Sequence, residues 1–193
     1  MSRYFPLALD LEGRSCLVIG SGSEALRRAS ALLEAGAALE IVAEAASNEL
    51  REFANAQGVP LHERAATGSD FNGRWLAVFA ERNAELAASL GAEARARRVF
   101  FCAVDEPRAS SFAHMAQARA GLVTVAVSTQ GKAPALGRQL SAEFTRLFAA
   151  AGLAAFADEL AKLREVTPSA ERGSVLGAAV SGVAIEGRLR LRE

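Results

Sequence analysis

The feature that most constrains this chain is a glycine-rich junction, Gly20-Ser21-Gly22-Ser23-Glu24-Ala25, set between two segments of different period. Before it, Ser15 to Gly20 (SCLVIG) is a short apolar run that reads as a buried strand. After it, Glu24 to Ala35 (EALRRASALLEA) carries Leu26, Ala29 and Leu33 at helical spacing and stops at Gly36. A G-x-G-x-x-A turn between strand and helix is the setting in which such a turn cradles a dinucleotide. Gly20 permits the tight turn, Gly22 lets the backbone approach a pyrophosphate, and Ala25 keeps helix and strand close. The helix N-terminus around Ser21, Ser23 and Glu24 then offers N–H groups and a positive dipole end to the phosphates. Glu44, 19 residues after Ala25, falls where an acidic residue would bind the adenine ribose. Glu40 is mid-strand and less suited. The alternative is a glycine-rich connection with no nucleotide and an ordinary exposed Glu44.

The segments that follow repeat the alternation. Leu39 to Ala43 reads as a second strand, Asn48 to Gln57 as a helix stopped by Gly58, and Val59 to His62 as a short third strand. Trp75 to Ala80 (WLAVFA) reads as a fourth strand, Asn83 to Ala96 as a helix, and Val99 to Val104 (VFFCAV) as a fifth strand. Strands alternating with helices of this length imply βαβ units and a parallel sheet. Beyond Asp105 the spacing predicts a helix over Pro107 to Ala120 and a strand over Leu122 to Ser128. A polar turn at Thr129 to Pro134 and helices over Ala135 to Ala150 and Leu153 to Arg164 follow. After Thr167-Pro168 there is no clear period, and the closing EGRLRLRE alternates as an edge strand or a loose tail.

Composition narrows the function classes. The 193 residues are 51% apolar and 23% charged, which fits a globular chain of one domain, or one domain plus a small appendage. Basic and acidic side chains number 22 each, so no basic excess points to nucleic acid. Cys16 and Cys102 form neither a zinc spacing nor a disulfide framework, and a reduced, cytoplasmic compartment is expected. Asp10 and Glu12 interrupt any leader-like run, and no apolar stretch approaches the roughly 20 residues of a membrane span.

The chemistry that is missing also informs. Tyr4 is the only tyrosine and precedes the glycine turn, so a Tyr-x-x-x-Lys pair is excluded. No His-x-x-x-His, His-Glu-x-x-His or Cys/His cluster suggests a metal site, and no Gly-x-Ser-x-Gly elbow occurs. His62 reads as an ordinary strand histidine, whereas His114 falls in the expected helix after Asp105, within reach of a site at the strand ends. Asp105 lies at the carboxyl end of the fifth strand, where ligands bind in open α/β sheets. A carboxylate there can take a proton as a hydride departs. Asp105-Glu106-Pro107 also reads as a helix cap with proline at the first helical position.

Four segments together resemble the precorrin-2 dehydrogenase family, known also as the N-terminal module of siroheme synthase. They are Tyr4-Phe5-Pro6-Leu7 through Asp10-Leu11-Glu12-Gly13-Arg14; Val18-Ile19-Gly20-Ser21-Gly22 with Ala25, Arg27 and Arg28; Phe101 to Pro107 with Ser111-Phe112; and Val125 to Pro134 with Leu136 and Arg138. The resemblance implies NAD-dependent oxidation of precorrin-2 to sirohydrochlorin, with iron insertion in some members, by a homodimer. It implies a Rossmann-type NAD(P)-binding domain over 1–112, a dimerisation and tetrapyrrole-side segment over 113–150, and a small, shortened helical region over 151–193. In that frame Asp105 is the catalytic carboxylate, and Ala80 and Glu81 end the fourth strand beside the cofactor. His114, Ser128, Thr129, Gly131, Lys132 and Arg138 lie on the tetrapyrrole side, Arg138 opening the following helix. The sequence departs from the family in four places, one of them His114-Met115, which stands where a proline is expected soon after Ser111-Phe112. Phe79-Ala80-Glu81-Arg82-Asn83 replaces A-A-T-D-D/N, the strand before Asp105 is a residue shorter and lacks an asparagine, and the tail lacks a longer charged helical module. A non-catalytic relative that binds a nucleotide or a tetrapyrrole is the alternative.

Charge is unevenly spread. Residues 1–94 carry a formal −5, residues 95–138 a formal +5, and residues 139–193 balance. Arg108, Arg119, Lys132 and Arg138 are candidate partners for the carboxylates of a precorrin, whereas Arg95, Arg97 and Arg98 read as solvation of a helix end.

Overall fold

A computed structural model describes residues 4–187 and 189. The chain divides into two compact units, Met1–His114 and Met115–Glu193.

The first unit is built on five parallel strands: β1 (Ser15–Ile19), β2 (Ala38–Ala43), β3 (Leu61–Glu63), β4 (Leu76–Phe79) and β5 (Phe100–Ala103), in the order β3-β2-β1-β4-β5. Three helices connect them: α1 (Ser23–Glu34), α2 (Asn48–Gln57) and α3 (Ala84–Ala96). The apolar runs are buried on both faces because the sheet has helices on both sides. Cys16, Val18, Ile41 and Val78 pack with Ala25, Ala29 and Leu32 of α1 and Leu50 of α2 on one face. Leu17, Ile19, Val42 and Phe79 pack with Ala87, Leu90 and Ala94 of α3 on the other. Within α1 it is Leu32 that is buried, while Leu26 and Leu33 flank the core.

α2 ends at Gly58 in the left-handed region and begins under a Ser47 side-chain cap, and α3 begins under Asn83. β3 starts two residues later than its apolar pattern suggests, since Val59 instead closes the α2 terminus. His62 is an ordinary strand histidine: its Nε2 lies 3.2 Å from Glu40 Oε2, and Glu40 is clamped by Arg74.

The expected helix over Pro107 to Ala120 does not form. The chain turns back after Asp105, and residues 110–111 run along the free edge of β5. Ser111 N–H donates to the Phe101 carbonyl at 2.7 Å, and Phe101 N–H donates to Ser111 Oγ at 2.8 Å. The buried Ser110 Oγ accepts from Ala103 N–H at 3.0 Å. These hydroxyls satisfy an edge that would otherwise stand open.

In the second unit β6 (Ala116–Ala120) and β7 (Val123–Val127) form an antiparallel hairpin. It packs against α4 (Pro134–Ala150), which contacts α5 (Leu153–Val166), followed by α6 (Arg172–Val180). α6 lies in the segment that shows no period, and it buries no side chain fully. The alternating EGRLRLRE tail falls largely outside the described residues. No single helix among the described residues is long and apolar enough to cross a membrane; α4 and α5 meet that test only jointly, bent by 67°.

Candidate active site

Strand order locates the crevice. From β1 the chain moves through α1 on one face of the sheet, and from β4 it moves through α3 on the other. Ligands in open α/β sheets bind where strand order reverses in this way, at the carboxyl ends. The glycine turn sits there. Gly20 has φ 149°, and its N–H donates to the Val42 carbonyl at 3.0 Å. A Cβ at Gly20 would lie 3.2 Å from the Cβ atoms of both Ala25 and Ala80, so side chains are excluded from the floor of the turn.

Gly22 is different. A Cβ there meets nothing within 4 Å, and its backbone is extended at φ −113°. As N-cap of α1 it has no side-chain hydrogen bond, whereas Ser47 and Asn83 cap α2 and α3. The first N–H groups of α1, from Ser23, Glu24 and Ala25, therefore lack a protein cap at an open approach. That is the donor set an anionic phosphate needs, and these residues fit a dinucleotide. The Glu24 side chain serves another purpose: it accepts from Arg27 Nη2 at 2.6 Å and Arg28 Nε at 2.8 Å. Glu44 is exposed and immediately follows β2, at the same sheet end as the turn.

Two further residues flank the crevice. Ala80 N–H donates to the Ile19 carbonyl at 2.8 Å, which ties the end of β4 to β1. Glu81 follows, and its Oε1 accepts from Ser21 Oγ at 2.7 Å. No local pattern signals this contact, because the partners are 60 residues apart.

Asp105 lies two residues beyond β5, exposed, with φ 62°. It is not a helix cap, since no helix follows. The turn is held by Glu106 N–H donating to the Ala103 carbonyl at 3.2 Å, and by Ser110 Oγ donating to the Glu106 carbonyl at 2.9 Å. The sequence signal for Ser110 is a hydroxyl pair, Ser110-Ser111, shortly after a strand.

His114 lies in the loop after Asp105 rather than in a helix. Its ring meets Phe112 edge-on, with centroids 5.2 Å apart. The residue is exposed, yet partial desolvation of its ring and the Arg28 and Arg27 guanidinium charges pull its pKa down to about 4, opposed by the Glu24 carboxylate. The neighbouring Cys102 thiol is pushed up by burial.

The remaining candidates lie in the second unit. Thr129 to Lys132 forms a turn in which Lys132 N–H donates to the Thr129 carbonyl at 3.0 Å. Its central residues, Gln130 and Gly131, have φ 56° and 75°, and Ser128 Oγ accepts from Gln130 N–H. Ser128, Gly131, Lys132 and Arg138 are exposed, and Thr129 is half-buried. Arg138 stands in the second turn of α4 rather than opening it, because Pro134 takes the first position. Of the arginines set aside, Arg97 pairs with Glu93 and with Asn72 near the end of α3.

An NAD(P)-binding family model matches residues 7–116, more than half of the chain. The siroheme synthase of Ectopseudomonas mendocina is 39% identical over 141 residues, covering 73% of this chain and 30% of its own length. Siroheme synthase 3 of Aeromonas hydrophila is 33% identical over 159 residues, covering 81% of this chain and 34% of its own length. The chain thus spans about a third of the length of these curated relatives. Among solved structures, SirC, a precorrin-2 dehydrogenase, superposes with a TM-score of 0.71 at 20% identity, over 92% of this chain and 89% of that one. That identity speaks for a shared fold. The chain belongs to the NAD(P)-binding family whose model matches residues 7–116.

Proposed function

We propose that the protein oxidises precorrin-2 to sirohydrochlorin with NAD in siroheme biosynthesis. The observation that carries this reading is the open, uncapped glycine turn at the strand-order switch, on the same sheet end as Asp105, in a chain related to siroheme synthases. The bound nicotinamide would supply the hydride acceptor. Gly20, Gly22 and Ala25 shape the turn, and the N–H groups of Ser23, Glu24 and Ala25 hold the pyrophosphate. Glu44 accepts from the adenine ribose, which favours NAD over its 2′-phosphorylated form through like-charge repulsion. The Asp105 carboxylate takes the proton that the substrate carbon or nitrogen loses as its hydride departs. The resemblance is the support for assigning Ser128, Thr129, Gly131, Lys132, Arg138 and His114 to tetrapyrrole binding and for a homodimer. His114 is neutral at physiological pH and so serves as a hydrogen-bonding group rather than a cation.

The test is an anaerobic assay with freshly prepared precorrin-2 and NAD, following NADH absorbance. NADH formation that disappears in Asp105→Asn is the expected result, and no turnover by the unaltered protein sinks the proposal. A further spectral change on adding ferrous iron to the product would extend the reading to iron insertion.

One observation favours a second reading, a non-catalytic binding protein. The Ser21–Glu81 contact already occupies polar groups at the crevice. Tight sirohydrochlorin binding in calorimetry, with no NADH formed in the assay above, would select it.

A further inference from the structure

The two walls of the crevice are bonded to each other. Ser21 belongs to the loop that leaves β1 for α1, and Glu81 to the loop that leaves β4 for α3. Beneath them the loops are already close, since a Cβ on Gly20 would stand 3.2 Å from Ala80 Cβ. Above that floor, Ser21 Oγ donates to Glu81 Oε1 at 2.7 Å in partly buried surroundings. Among the described residues no cation pairs with this carboxylate. A negative charge is therefore fixed at the mouth of a turn whose N–H groups are suited to an anion.

We propose that Glu81 is a bolt across the dinucleotide crevice, a self-inhibitory contact that an incoming dinucleotide must displace. The inference rests on the dinucleotide part of the function proposed above. Two physical effects support it. A carboxylate beside the pyrophosphate position repels it, and the repulsion is strong where neighbouring protein screens the pair from water. In addition, the Ser21 hydroxyl is committed to Glu81, so its proton is withheld from a phosphate oxygen until the bond breaks. Once Glu81 swings away, Ser21 becomes a donor to the ligand. The bolt thereby lowers affinity for the whole dinucleotide and disfavours casual occupancy by weaker anions.

Calorimetric titration of NAD+ into the full chain tests this with Glu81→Gln, Glu81→Ala and Ser21→Ala. Glu81→Gln removes the charge and keeps an acceptor for Ser21; it is expected to bind NAD+ about tenfold tighter. Glu81→Ala removes charge and bond together and is expected to bind at least as tightly as Glu81→Gln. Ser21→Ala releases the carboxylate but also deletes a donor, so its affinity should fall between wild type and Glu81→Gln. A contact that merely braces the loops would move affinity downward on substitution. Equal or weaker binding in both Glu81 variants, with wild type still binding, overturns the bolt and leaves the dinucleotide reading standing. If neither wild type nor any variant binds NAD+ or NADP+, both fall together.

Discussion

Asp105 is held in a backbone conformation that most side chains avoid. At φ 62° an L-residue costs about 1–2 kcal/mol, and aspartate and asparagine tolerate the region better than others. This permits a separation of backbone from chemistry. Asp105→Asn should leave the unfolding free energy within about 0.5 kcal/mol of wild type and keep NAD+ binding, while NADH formation is lost. Asp105→Ala should lose turnover and also about 1 kcal/mol of stability in denaturant titrations. If Asp105→Asn retains turnover, the carboxylate is not the proton acceptor. His114 makes a second residue-scale case. Its folded pKa of about 4 lies below the ordinary histidine value, so between pH 6.5 and 4 the unfolded chain binds the extra proton. Stability from this group is full above pH 6.5 and declines as pH falls through that window. Thermal unfolding at pH 7.5 and 5 should therefore show a smaller acid loss in His114→Gln than in wild type.

At the scale of elements, the glycine turn makes a prediction that its two glycines answer in opposite ways. Gly20→Ala introduces a Cβ against Ala25 and Ala80 at a φ alanine resists, and should cost about 1–3 kcal/mol of stability. Gly22→Ala meets open space in the free protein and should unfold like wild type, yet lose NAD+ affinity because the methyl projects into the phosphate approach. A Gly22→Ala protein that binds NAD+ normally would remove the phosphate from this position. The turn and the five strands were legible in the sequence because local period and burial agree there: Val18, Ile41 and Val78 lie in short apolar runs, and the strands are covered on both faces. The stretch from Pro107 to Ala120 was not legible. Its alanines and Met115 favour helix locally, but Ser110 and Ser111 are claimed by the edge of β5, and Ala116–Ala120 by Val123–Val127. Tertiary pairing outweighed propensity. α6 is illegible for another reason: with Gly173 and Gly177 and no fully buried side chain, it has no period to read. Of the site, Gly20, Gly22 and Asp105 follow from their places at strand ends, whereas the Ser21–Glu81 contact depends on strand order.

For the molecule as a whole, burial is very unequal between the units. Among the described residues, every fully buried apolar side chain except Ala118 and Phe148 belongs to the first unit. In the second, α5 and α6 bury none, and Leu122, Leu136, Leu147 and Val166 are 67%, 47%, 37% and 79% exposed. A two-stranded hairpin with three helices and so little core is marginal by itself in water. Apolar surface of this kind is what association covers. The first unit has a core on both faces of its sheet. Cutting the chain after His114 should therefore give a fragment that unfolds cooperatively, stays monomeric in sedimentation and still binds NAD+. The whole chain should sediment as a dimer. A monomeric whole chain at micromolar concentration would contradict the dimer, and a dimeric 1–114 fragment would move the association surface to the sheet domain. Turnover then supplies an independent check, because the fragment lacks Ser128, Thr129, Lys132 and Arg138. It should bind NAD+ as the whole chain does, yet form no NADH with precorrin-2.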